Sequence, residues 1–221
     1  PNCFFKQKTA YASMPSLVGS EMCIRDSAQA EQTPDFAPSP IALLAARKKT
    51  GICQQKLGEY KQALDTFSSI LKEKESRLDV QKAAAYTYQA WGEAEDVSKL
   101  EHAIGGGYKL RSTGKNRIWG WVKIGNAVKR YINENDSHRD TFFEAWLNIA
   151  RCRYLIGTKS KGAEQVQNFA QAKSTIRSIS RQYPELGGAN WRSKFDKLTK
   201  EIQRKEGIKP QGFAEFVAVT R

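Results

Sequence analysis

The stretch GICQQKLGEYKQALDTFSSI, residues 51–70, decides the fold. Apolar residues recur in it at three- and four-residue intervals on both sides of Gly58, the period of one amphipathic helix followed by another. Gly58 reads as the break between them. Small and aromatic residues stand at set distances through the stretch: Gly51, Gly58, Tyr60, Ala63 and Phe67.

Outward from this core the same period continues. Helical patterns cover residues 41–58, 59–75, 79–95, 97–104, 116–132, 139–157, 164–183 and 189–207, most of them 15–20 residues long and divided by Gly, Pro or polar breaks. Strand signals are nearly absent until the last few residues. The expectation is an all-α chain of helical hairpins. Adding 34 residues places Ala85 where Gly51 stands, Gly92 for Gly58 and Ile104 for Ile70. A third unit is carried by Trp146, Asn148, Ile149, Ala150, Tyr154 and Gly157. An insertion, TKSKGAEQVQ, then precedes Ala172, Ile176, Ile179 and Pro184. The second unit has a shortened second helix ending at Gly105-Gly106-Gly107.

In this spacing, over about residues 41–186, the chain resembles the tetratricopeptide repeat family, whose own period is 34 residues. The resemblance implies a right-handed α-solenoid of antiparallel hairpins, closed by a capping helix at 189–207. In such a hairpin the small residue of the first helix lets the second pack close, the next glycine ends the first helix, and the alanine and aromatic fill the interior. It also implies a concave groove lined by the first helices, holding a partner peptide. The groove positions that correspond here are Lys48, Ile52 and Gln55, then Lys82, Tyr86 and Gln89, then Arg151 and Tyr154. Cations and tyrosines in that pattern suit an acidic segment or a chain-terminal carboxylate. The paired Lys and Asn of the chaperone-binding carboxylate clamp are not present in one repeat.

The N-terminal segment stands apart. LVGSEMCIRDS, residues 17–27, resembles one translated frame of the transposase adapter used to prepare DNA libraries, and FKQKTAY, residues 5–11, resembles the flow-cell primer; Ala12 and Ser13 depart from that primer. Residues 1–27 are therefore expected to be an adapter-derived, disordered artefact, with the native N-terminus missing and the compartment, bacterial cytoplasm or cell envelope, left open. Residues 28–40, AQAEQTPDFAPSP, read as a linker, 41–207 as the repeat domain and 208–221 as a truncated tail.

Chemistry-bearing motifs are thin. Two of the four cysteines, Cys3 and Cys23, fall in the adapter-like segment. Cys53 and Cys152 each lie two residues beyond an equivalent small position, Gly51 and Ala150, and read as small apolar core residues. His102 and His138 have no metal-ligand or triad context. GGGYKLRSTGKN has Lys109 where a phosphate-binding loop needs Gly and Asn116 where it needs Ser or Thr, so it reads as a flexible loop between repeats. The tryptophans of IWGW, EAWLNIA and NWRSKF sit at helical spacing and read as core. No catalytic, cofactor-binding or metal-ligating set is expected.

The net charge of +13 is broad rather than local in this reading, with Glu interleaved among cations in LKEKESR and LTKEIQRKE, so nucleic acid is not the expected partner. Without residues 1–27 the charge is still +12, from 33 Lys and Arg against 21 Asp and Glu. No apolar run is long enough to span a bilayer. The function expected is a non-catalytic protein-interaction scaffold. The alternative is the regulatory or substrate-recruiting part of a larger enzyme.

Overall fold

Ser39 opens the first helix. Its hydroxyl accepts from the Ala42 amide at 3.1 Å and Pro40 occupies the first turn, where its missing N–H costs nothing. The computed structural model describes residues 39–109, 114–214 and 216; the adapter-like segment and nearly all of the expected linker lie outside these. The described residues form eight α-helices and one two-stranded ribbon, an all-α helical-repeat fold. The chain divides into two compact units, 1–90 and 91–221, with the boundary inside the third helix.

In the first unit, α1 (Pro40–Lys56) and α2 (Tyr60–Glu73) form the hairpin read from the opening stretch. Gly58 takes φ +83°, and the Glu59 amide donates to Gln54 O at 2.9 Å while the Gly58 amide donates to Gln55 O at 3.1 Å. These two bonds are the Schellman closure of a helix end, which needs a left-handed residue and so favours glycine. Gly51 answers a different demand, since a Cβ there would lie 2.6 Å from the Phe67 ring. Ala63, Leu64, Phe67, Ile70 and Leu71 are buried on the inner side of α2. The third helix, α3 (Leu78–Ala94), contributes Val80, Ala84, Ala85 and Tyr88 to the buried set of this unit.

In the second unit, α3 runs on past Gly92 within the expected 79–95 pattern, so this glycine does not close the helix as Gly58 does. Gly92 is buried and instead admits Leu100, whose Cγ would meet an added Cβ at 2.5 Å. The last α3 carbonyls, of Gly92 and Glu93, accept from Lys159 Nζ at 2.9 and 2.6 Å. α4 (Ser98–Gly105) stops at the glycines as expected, but the segment beyond it is an ordered ribbon rather than a loose loop. β1 (Gly106–Lys109) and β2 (Asn116–Trp119) pair antiparallel, with Gly106 opposite Trp119 and Gly107 opposite Ile118. The glycines are there for close backbone approach: a Cβ at Gly106 would sit 2.5 Å from Ile118 O, and one at Gly120 would collide with Ile104 O. Ile118 is fully buried and anchors the ribbon. The single helix expected over 116–132 is thus a strand, then α5 (Trp121–Val128) and a 3₁₀ turn (Lys129–Tyr131).

Asn135 caps α6 (Asp136–Lys159), its side chain accepting from the Ser137 and His138 amides at 2.8 and 3.3 Å. α7 (Gly162–Gln182) begins within the expected insertion; its first turns are exposed and polar, which gives them the composition of a loop. Gly157 lies inside α6, and an added Cβ would lie 2.6 Å from the Phe169 ring. Phe142, Phe143 and Tyr183 meet edge to face, with centroids 5.2–5.8 Å apart. α8 (Ala189–Lys205) covers the last of the expected helical patterns. Beyond it, the Gln211 and Gly212 amides both donate to Gln203 Oε1 at 2.8 Å, and Phe213 N donates to Asp196 Oδ1 at 3.0 Å. The described part of the expected tail therefore packs on α8.

Candidate partner-binding face

Six of the eight groove positions belong to the first unit. Lys48, Ile52 and Gln55 are half-buried on α1; Lys82 and Tyr86 are half-buried on α3, and Gln89 is buried there. Side-chain contacts hold α1 beside α3 within this unit. Lys48 Nζ lies 2.8 Å from Asp79 Oδ2, and Thr87 Oγ1 donates to Gln55 Oε1 at 3.1 Å.

Asp79 is shared, since Arg77 also donates to both of its oxygens, at 3.1 and 2.9 Å. Burial alone would push this carboxyl up, but the hydrogen bonds and charges of Arg77 and Lys48 outweigh it and take the pKa down to about 2. Lys48 is therefore a cation already matched by a fixed carboxylate. Asp79 and Arg77 are not legible as partners in the sequence, because the pairing spans 31 positions, one helical turn short of the repeat period that relates Lys48 to Lys82.

The other two positions are on α6, in the second unit. Arg151 is 53% exposed with its Nε 3.9 Å from Glu93 Oε1, a contact too long for a hydrogen bond. Tyr154 stacks on Phe169 with centroids 5.9 Å apart, and burial raises its phenol pKa. It is thus partly a packing residue of the α6–α7 hairpin.

Both remaining cysteines are buried and in no disulfide, and burial drives the Cys152 thiol well above its ordinary range, as suits small core residues rather than nucleophiles. His102 sits in α4, 3.1 Å from Ser98 O, and His138 stands in the first turn of α6 against the Tyr131 ring. Trp121 is fully buried as expected, but Trp119 lies half-exposed on β2, off any helix. A cleft of about 390 Å³ beside α8 is lined by Arg192, Ser193, Asp196 and Phe213 among others; Asp196 is held by Lys200 at 2.6 Å. Among the described residues no group of three or more His, Cys, Asp or Glu is placed to hold a metal ion, and no helix is long and apolar enough to cross a membrane.

No curated protein and no solved structure matches the chain. Residues 49–73, which span the Gly51–Phe67 contact and the Gly58 closure, match the family model described as Tetratricopeptide repeat. Repeats of this kind are protein–protein interaction modules. This chain carries a tetratricopeptide repeat in its first unit, built on the α1–α2 hairpin.

Proposed function

We propose that the chain is a non-catalytic scaffold whose α1–α3 face, Lys48, Ile52, Gln55, Lys82, Tyr86 and Gln89, receives a peptide segment of a partner protein. The observation that carries this reading is how the two helices divide their sides. Gly51 and Cys53 on α1, and Ala84 and Ala85 on α3, are committed to buried packing. The side bearing Lys48 and Gln55 joins the two helices through polar contacts.

Such a face suits a ligand that brings its own carboxylate. An acidic side chain or a C-terminal carboxylate exchanges with Asp79 for the Lys48 ammonium, while Ile52 and Tyr86 offer apolar area beside it. Arg151 and Tyr154 contribute from the second unit as a separate contact of the same kind. The right-handed stacking of hairpins expected from the sequence belongs to this same proposal.

A peptide array of acidic, neutral and basic 15-residue sequences, followed by fluorescence anisotropy on the best binders, tests it. Acidic peptides should bind, and Lys48→Glu with Lys82→Glu should weaken them by at least about tenfold with helicity unchanged. Equal binding of basic and acidic peptides, or full affinity in the double variant, contradicts the assignment.

A further inference from the structure

The interleaving of acids among cations fails in one place. Residues 102–133 contain seven Lys and Arg and no Asp or Glu. Six of those cations lie in described residues: Lys109 on β1, Lys115 in the turn, Arg117 on β2, Lys123 on α5, and Lys129 and Arg130 in the 3₁₀ turn. All but Arg117 are exposed.

The fold gathers these residues onto one part of the second unit. Ile118 points into the core and is fully buried, so its strand neighbours Arg117 and Trp119 lie on the opposite, outer face of the ribbon, where both are half-exposed. Lys123 Nζ sits 4.3 Å from the centre of the Trp119 ring, and Arg130 lies 5.7 Å from the ring of exposed Tyr131. Lys123 is also in the first turn of α5, a place where a cation opposes the helix dipole. That turn contains no acid, and Gly120 before it supplies no side-chain cap. An anion bound there would meet both the cation and the helix N-terminus. Of the acids flanking the stretch, Glu101 on α4 pairs with Arg153 at 2.5 Å and Asp136 at the head of α6 with Arg139 at 3.0 Å.

Tyr108, between paired Gly107 and Lys109, has φ +56°, a conformation that costs a non-glycine residue roughly 1 kcal/mol or more and that collects at functional sites. It adds a further half-exposed aromatic ring to the ribbon.

We propose that the outer face of the β1–β2 ribbon, continued by the first turn of α5, binds single-stranded nucleic acid, with Lys115, Arg117 and Lys123 on phosphates and Trp119 stacking a base. Cations spread along strand, turn and helix, rather than converging on one pocket, fit a chain of regularly spaced phosphates. Half-exposed aromatic rings among them are what a strand with unstacked bases uses. A bilayer surface fits less well, because the apolar side of α5 (Trp121, Ile124 and Val128) is buried in the protein and leaves little to insert.

The test is fluorescence anisotropy of the full chain with labelled 20-mers of oligo(dT) and oligo(U), across a salt series. Parallel arms use a DNA duplex, polyglutamate and vesicles containing phosphatidylserine. The oligonucleotides should bind, with log affinity falling against log salt at a slope of roughly −2, as three phosphate contacts to a single strand require. Arg117→Glu with Lys123→Glu should abolish binding at moderate salt, while Arg117→Lys with Lys123→Arg should keep most of it. Trp119→Ala should weaken it by about fivefold or more and Trp119→Phe should largely restore it. Unchanged circular dichroism certifies each variant; should Trp119→Ala unfold, the charge variants and Trp119→Phe carry the test. Absence of oligonucleotide binding at 50 mM salt overturns the proposal. So does tighter binding to duplex, polyglutamate or vesicles, or binding indifferent to the charge reversals.

Discussion

The α1–α2 hairpin of the first unit and the α6–α7 hairpin of the second solve one packing problem in two ways. Each brings a second helix close by setting a glycine against a phenylalanine ring, Gly51 against Phe67 and Gly157 against Phe169, with the same 2.6 Å that an added Cβ would leave. In α1 the glycine lies mid-helix and a separate glycine, Gly58, closes the end in the left-handed conformation. In α6 the close-approach glycine is itself within the last turn, and the helix runs on to Lys159. Residues 49–73, in the first hairpin, match the repeat model, and the second hairpin packs by the same contact.

Removing the ring is the severest way to break this parallel. Phe67→Ala and Phe169→Ala should each cost about 3–5 kcal/mol in denaturant unfolding, since both rings are buried in the hairpin interior. A loss below about 1 kcal/mol at either site would show that the contact does not organise that hairpin.

Next in size is the glycine itself. Gly51→Ala and Gly157→Ala should destabilise by about 1–2 kcal/mol, overpacking against the ring outweighing the helix propensity gained. Phe67→Leu introduced with Gly51→Ala should cost less than the two single effects summed, because the smaller side chain yields the space. Additive losses would place the strain elsewhere. Gly58→Ala should cost only about 1 kcal/mol, from backbone conformation alone, because nothing lies within 4 Å of its added Cβ. A larger loss would mean that Gly58 also packs.

The first hairpin is legible in the sequence because a glycine with an aromatic sixteen residues later is a local signal. The rest is not legible, for reasons that are not local. Gly92 stands where the 34-residue offset puts Gly58 but inside a helical pattern, and Leu100 eight residues on gives no warning that this glycine admits it. Gly105-Gly106-Gly107 reads as looseness, whereas the backbone needs Gly106 bare to approach Ile118 and build the ribbon. The groove positions come from the repeat register, which says where a side chain stands and nothing of its counter-ion, so the Lys48–Asp79 pair emerges only in three dimensions.

Within the first unit, pH probes the Lys48–Asp79 contact. The Asp79 carboxyl is held below its unfolded value, so the stability it lends is complete above about pH 4 and is lost as pH falls toward about 2. With its side chain 41% exposed, screening keeps the effect below about 1 kcal/mol. Asp79→Asn should flatten unfolding stability across that window. An unchanged acid profile would show that the contact lends no stability.

The most direct test of the partner-binding face exchanges its two charges. Lys48→Glu combined with Asp79→Lys keeps an ion pair between α1 and α3 while reversing the charge offered at the groove position. The account predicts a melting temperature within a few degrees of the parent and a loss of about tenfold or more in affinity for an acidic peptide selected on the parent. Undiminished affinity in the exchanged protein would contradict it.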